Sequence, residues 1–301
     1  MIFMPIQILP PDEAAKKAKE RVAEWKKQKE MDAAKSRAAK RVRAHARRAK
    51  PEPERRSKPS TDSTQMKKIN LQLRQAAKQG MTERMARLIE KGADVNTRDR
   101  KGHTALMLAA KNHKPEAIRM LIKRGADIES RDENGWTALM QVAQRWQSEI
   151  AKVLIENGAD VNAKDENGST ALMYAAWSDE TETARMLIEN GADVNAKNKW
   201  DWTALMKAAQ NGSVGIVKML IKKGADVNVK NDTGTTALMY AADQSPSPIG
   251  RSNPEIVRLL VENGADVNAR NNFGHTALMG AQQVKRLTEI EEILMKHGAP
   301  K

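Results

Sequence analysis

From about residue 66 onward the apolar positions fall into short, regular bursts. After Thr104, the residues Leu106, Ala109 and Ala110 recur at spacings of three and four, and Ile118, Leu121 and Ile122 follow one polar break later. That is the period of helices burying one face, so the pattern predicts two short antiparallel helices sharing an apolar seam. The small Ala pair lets the two helices approach closely. Thr104 stands where the first helix should begin, and its hydroxyl can cap an orphan backbone N–H there. Gly125 follows Arg124, where the end of the second helix needs a residue tolerant of the left-handed conformation. Asp127 then leads into an extended turn holding Asp132, Asn134 and Gly135, residue types that favour turns.

The same pattern returns along the chain. Thr-Ala-Leu-Met begins at Thr104, Thr137, Thr170, Thr203, Thr236 and Thr276, at four intervals of 33 residues and a last one of 40. Gly-Ala begins at Gly92, Gly125, Gly158, Gly191, Gly224, Gly264 and Gly298, nearly always followed by Asp. Two independent markers keep one beat, which is the signature of a repeat architecture. A single unit is too small to bury its own core, so stability has to come from stacked neighbours. The units divide as 66–98, 99–131, 132–164, 165–197, 198–230, 231–270 and 271–301. The first lacks Thr-Ala-Leu-Met and reads as an N-terminal cap, with Leu71, Leu73, Ala76 and Ala77 expected to face inward. The last reads as a C-terminal cap. The sixth carries seven extra residues within Asp243 to Asn253, a stretch containing Pro246, Ser247, Pro248 and Gly250. Extra length of this kind maps to a loop.

This pattern resembles the ankyrin repeat, whose unit of about 33 residues is a β-turn followed by two antiparallel helices around Thr-Pro-Leu-His. Here Ala138 and Met140, and their equivalents, stand at the Pro and His positions, which exchanges a polar link between repeats for apolar packing. The resemblance covers 66–301. It implies an all-α repeat solenoid with a concave face, built from turn tips and first helices, along which members of the family typically bind proteins.

Aromatic residues are scarce, six Trp, two Tyr and two Phe in all, so their positions carry information. Trp136 and Trp202 precede the helix-starting Thr on the turn side. Trp200 and Phe273 occupy turn tips. Tyr174 and Tyr240 share one place in the first helix, where other units have Leu108, Gln141, Lys207 and Gly280, and Trp177 ends that helix. Trp and Tyr are enriched at binding hot spots, so these seven residues are the expected partner-binding set. The competing reading is that the rings pack across neighbouring units, and for Tyr174 and Tyr240 both readings stand. Trp146 takes the place between the two helices where Gly212 stands in another unit, at the end away from the turn tips.

Charge separates the chain into two parts. The formal net charge is +14, and the residues before Met66 hold 18 Lys and Arg against 9 Asp and Glu, so +9 lies there and +5 in the remainder. Residues 1–10 read as an apolar N-terminal peptide. Residues 11–50 read as one long helix, rich in Ala and free of Gly and Pro after its start, with a thin apolar stripe of Ala15, Ala18, Val22 and Trp25. Its second half holds Lys35, Arg37, Lys40, Arg41, Arg43, Arg47, Arg48 and Lys50 and no acid. Such a run can meet nucleic acid, an acidic protein or an anionic membrane, or serve as a solvated tether. It holds no aromatic residue to stack on bases, so nucleic-acid binding would be to phosphates and steeply salt-dependent. Residues 51–65, with three prolines and several serines, read as a linker.

Enzymatic chemistry finds no foothold in the sequence. Cysteine is absent, which removes thiolate metal sites and cysteine nucleophiles and fits a reducing, cytoplasmic setting. The five histidines, at 45, 103, 113, 275 and 297, show no metal-ligand spacing on one helix. There is neither a phosphate-binding glycine loop nor a nucleophile elbow. Neither a cofactor nor a metal is expected, and no run approaches the ~20 apolar residues of a membrane span. Three roles remain open: an adaptor binding proteins through the array with the arm as second attachment, a nucleic-acid-associated protein working through the arm, or a structural subunit of a larger assembly.

Overall fold

The computed structural model describes residues 61–243, 253–282 and 289–300, with side chains from Thr64 onward. All belong to one compact unit, Pro59–Lys301. The basic segment 11–50, with its eight bases, and most of the insertion at 243–253 lie outside the described residues.

Among the described residues the chain forms fourteen helices in seven consecutive pairs and no strand. The first pair is α1 (Thr61–Gln79) and α2 (Thr82–Glu90). The next four are α3 (Ala105–Lys111) with α4 (Pro115–Lys123), α5 (Ala138–Ala143) with α6 (Ser148–Glu156), α7 (Ala171–Trp177) with α8 (Thr181–Glu189), and α9 (Ala204–Asn211) with α10 (Val214–Lys222). The last two are α11 (Ala237–Ala242) with α12 (Pro254–Glu262) and α13 (Ala277–Ala281) with α14 (Glu289–Lys296). Each first helix packs on its own partner and on the first helix of the next unit.

Helices of five to nine residues are too short to persist alone, and each is held at its ends. The Thr beginning every Thr-Ala-Leu-Met is extended and accepts a bond from the Met N–H three residues on, as Thr104 Oγ1 does from Met107 at 3.3 Å. At the end of each second helix the Gly is left-handed, Gly125 at φ 84°. The following Ala then reaches back five residues, with Ala126 N donating to Leu121 O at 2.9 Å. Gly-Ala is thus a helix terminator with a fixed hydrogen-bond pattern. The junction between the two helices of a unit uses the same device, with His113, Trp146, Asp179 and Gly212 all at positive φ.

The turns explain the remainder of the motif. Asp or Asn five residues before the Thr folds its own tip: Asp132 Oδ1 accepts from the N–H groups of Asn134 and Trp136 at 2.9 and 3.0 Å. The Asn of Gly-Ala-Asp-Val-Asn ties one unit to the next. Asn162 Nδ2 donates to Gly191 O at 2.9 Å while its Oδ1 accepts from Asp193 N at 2.7 Å, and Asn195 and Asn228 repeat the clamp. Adjacent tips also join by backbone, Lys199 N donating to Asn167 O at 2.8 Å.

The core is a continuous column of Leu, Ile, Val, Met and Ala. The Ala pairs are fully buried, and so are Met107, Met140 and Met206 at the position of the family's His. Two expectations need correction. Leu71 is 48% exposed while Leu73, Ala76 and Ala77 are buried; residues two apart on a helix lie ~200° apart, so Leu71 and Leu73 cannot both face inward. And α1 begins at Thr61, inside the segment read as linker. Helix-starting Thr, Asp and Ser follow Pro59 there, so the last proline, not residue 65, sets the boundary.

Candidate partner-binding face

Turn tips and first helices present two columns of side chains that alternate along the stack. Immediately before each Thr stand His103, Trp136, Ser169, Trp202, Thr235 and His275; four residues after it stand Leu108, Gln141, Tyr174, Lys207, Tyr240 and Gly280. The fold sets the first column of one unit against the second column of the next. Trp136 therefore meets Tyr174, ring centroids 4.4 Å apart and tilted by 47°, and Trp202 meets Tyr240 at 4.6 Å and 29°. All four rings are half-buried. The packing reading of Tyr174 and Tyr240 thus describes their geometry, and the same inter-unit contact describes Trp136 and Trp202.

Each Tyr is also tied to the turn below it. Tyr174 Oη donates to Asp165 Oδ2 at 2.5 Å, and burial together with that carboxylate pushes the phenol well above the ordinary tyrosine range. Tyr240 Oη instead accepts from Asn231 Nδ2 at 3.0 Å, and burial raises it too. Gln141 makes the corresponding contact to Asp132 Oδ2 at 3.1 Å. At the first of these turns, burial would raise Asp99, but the N–H groups of His103 and Lys101, with the His103 ring, hold it below its usual value.

Trp177 lies one turn further along its helix than Tyr174 and faces the next unit. Lys207 projects between it and Trp202, its Nζ 3.6 Å from the Trp202 centroid and 4.7 Å from that of Trp177. Trp200 and Phe273 stand out at the tips, 46% and 72% exposed. The structure therefore brings Trp177, Trp200 and Trp202 to one depression with Tyr174. It leaves Phe273 out of that depression, with the His275 ring centroid 6.4 Å from its own. Trp146 is 70% exposed at the opposite, loop end of the helices, and it is left-handed at φ 59°.

Lys207 and Ser169 did not stand out in the sequence. Their signal was present, because Lys207 shares its column with Tyr174 and Tyr240 and Ser169 shares its column with Trp136 and Trp202. Reading it required knowing that the columns are offset by one unit. Among the described residues no group of His, Asp and Glu could hold a metal, and no helix is long and apolar enough to cross a membrane.

Short helix pairs, Thr caps, Gly terminators and turn tips stacked in register define a class, the helical repeat solenoid with a side-chain face for contact. The family comparison agrees: residues 73–165, 125–198 and 172–271 each match the model for ankyrin repeats (3 copies). This chain belongs to the ankyrin-repeat family. No curated protein matches it significantly in sequence.

Proposed function

We propose that this chain is a protein-binding scaffold whose partner docks on the turn and first-helix face. Ankyrin repeats generally serve as protein-interaction modules, and the observation that carries the reading here is the gathering of rings on that face. Six of the eight aromatic side chains of residues 66–301 gather there: the two ring pairs together with Trp177 and Trp200. Rigid, half-exposed aromatics of this kind supply contact area at little entropic cost, as hot-spot residues do. The reading assigns the chain no catalytic chemistry, and a cytoplasmic setting fits its lack of cysteine.

The basic segment 33–50 acts in this reading as a second attachment, raising the effective concentration of the array near an anionic surface. The test is recovery of partners by the full chain and by a chain lacking residues 1–58, with and without nuclease, at moderate salt. That truncation spares α1, which a cut at residue 65 would damage. A protein partner retained by the truncated chain after nuclease treatment is expected. Loss of every partner on nuclease treatment or on truncation would transfer the function to the arm, as a phosphate-binding or assembly-tethering element.

A further inference from the structure

The alternation that builds the two ring pairs breaks between them. Trp136 faces Tyr174 and Trp202 faces Tyr240, but in the intervening step Ser169 faces Lys207. A small side chain opposite a long one leaves a depression of about 300 Å³, walled by Trp177, Trp200 and Trp202 and lined by Asn167, Asn198 and Lys207. Of the side chains lining it, only Lys207 is charged.

That ammonium is poorly matched by its surroundings. Lys207 is half-buried, and two indole faces attract its charge. An ammonium also has three N–H groups to donate. Among the described residues, neither a carboxylate within ion-pair distance nor a hydrogen-bond acceptor serves Lys207, and burial alone pushes it down to about 8. The neighbouring polar groups are committed elsewhere. Asn198 Oδ1 accepts from the N–H groups of Trp200 and Trp202, its Nδ2 donates to Ser169 Oγ, and Tyr174 Oη donates to Asp165. Asp201, in the same turn, lies 3.9 Å from Lys197. A partly desolvated cation without a counter-ion, in an open site between aromatic walls, is complementary to an anion.

We infer that this depression receives the carboxylate of an Asp or Glu side chain from a partner protein, with Lys207 as its counter-ion and an adjoining apolar residue of the partner resting on Trp200. The inference rests on the reading of this face as a protein-docking surface, and it specifies the chemistry of the docked segment. A single cation suits a single carboxylate, whereas nucleic acid draws its affinity from several cations along the phosphates. A free small acid fits less well, because small-ligand sites enclose most of their ligand and Trp200 stands 46% exposed on the rim.

The pairing has a pH signature. A bound carboxylate favours the charged ammonium, so binding takes up a proton near pH 8 and weakens as pH rises from 7 to 9. The titratable side chains of the flanking first helices, Tyr174 and Tyr240, are both shifted upward, away from that window. Lys207→Arg keeps the charge and abolishes the pH dependence, since guanidinium stays protonated.

The experiment is selection of a displayed random dodecapeptide library on the full chain at moderate salt, in parallel with Lys207→Met, Lys207→Arg and Trp200→Ala. The basic arm is present in every variant, so acidic peptides that it captures appear in all four selections and cancel. Expected is a motif pairing Asp or Glu with an apolar residue, enriched on the wild type and Lys207→Arg and lost on Lys207→Met. A peptide carrying it should bind Lys207→Met at least ~10-fold more weakly, Trp200→Ala less tightly, and the wild type less tightly at pH 9 than at pH 7. Circular dichroism shows whether Lys207→Met remains folded; if it does not, the pH comparison of wild type with Lys207→Arg decides. Enrichment of peptides that need Trp200 but carry no acid overturns the carboxylate and leaves the docking face standing. Enrichment of nothing beyond the arm-bound set counts against both.

Discussion

Trp136 and Trp202 are half in the protein and half available to a partner. Each ring packs on a Tyr of the next unit, so truncating it removes inter-unit contact as well as potential binding surface. Trp136→Ala and Trp202→Ala should each lower stability by about 1–3 kcal/mol in urea denaturation. Trp200→Ala, at an exposed tip, should stay within about 0.5 kcal/mol of the wild type while weakening partner binding. It is therefore the cleaner probe of function. Glu180 is a second residue whose environment makes a prediction. It is buried at the junction of α7 and α8, where Oε2 accepts from Thr183 Oγ1 and Oε1 has no partner. Burial raises it above its ordinary value, and the charge of Asp179 adds to this. A carboxyl raised in the folded state contributes stability that is fully present below the unfolded value and is lost as pH rises through the folded one. At neutral pH the fold thus carries an unfavourable buried carboxylate. Glu180→Gln should melt higher than the wild type at pH 7, with the gap closing as the pH falls to about 4; an unchanged gap across that range would contradict the assignment.

At the scale of the element, the repeat is a set of helix ends. Most unit-level features were legible because each motif residue serves one local hydrogen bond: Thr starts a helix, Gly ends one, and Asp or Asn folds a tip. What lay between units was not legible in the same way. The Trp–Tyr pairs need the offset of one unit against the next, although both pairs have the same separation in sequence. Leu71 and Leu73 look alike in the sequence, and only the ~200° between positions two apart on a helix puts Leu71 on the outer face. The role of Asn in Gly-Ala-Asp-Val-Asn is likewise a contact with the following unit. At this position the unit 99–131 has Glu129, which accepts from Asp160 N at 2.9 Å. A carboxylate has no N–H to offer the neighbouring carbonyl that Asn96, Asn162 and Asn195 serve. Glu129→Asn should stabilise the stack by about 0.5–1.5 kcal/mol, read as a shifted denaturation midpoint with unchanged slope. Trp146 occupies a left-handed position that Gly212 fills in another unit. Because left-handed backbone costs a non-glycine residue roughly 1–2 kcal/mol and this ring is mostly exposed, Trp146→Gly should raise the melting temperature.

For the whole molecule, the stack makes one face from many small units, and its chemistry lies in departures from the repeat. Where the sequence keeps its schedule, the residues hold the solenoid. Where it varies, at the positions just before the Thr and four residues after it, it sets rings, a lysine and a depression along a single surface. Charge follows the same division, since most of the excess basic residues precede the array and the array itself shows Lys207 as a cation without a counter-ion among the described residues. The most direct test of this account is amide hydrogen exchange of the full chain, free and bound to a recovered protein partner. Protection gained at the tips around 198–202 and along α7 and α9, with α6, α8 and α10 unchanged, is the predicted footprint. Protection confined to the second helices, or to residues before 59, would contradict it.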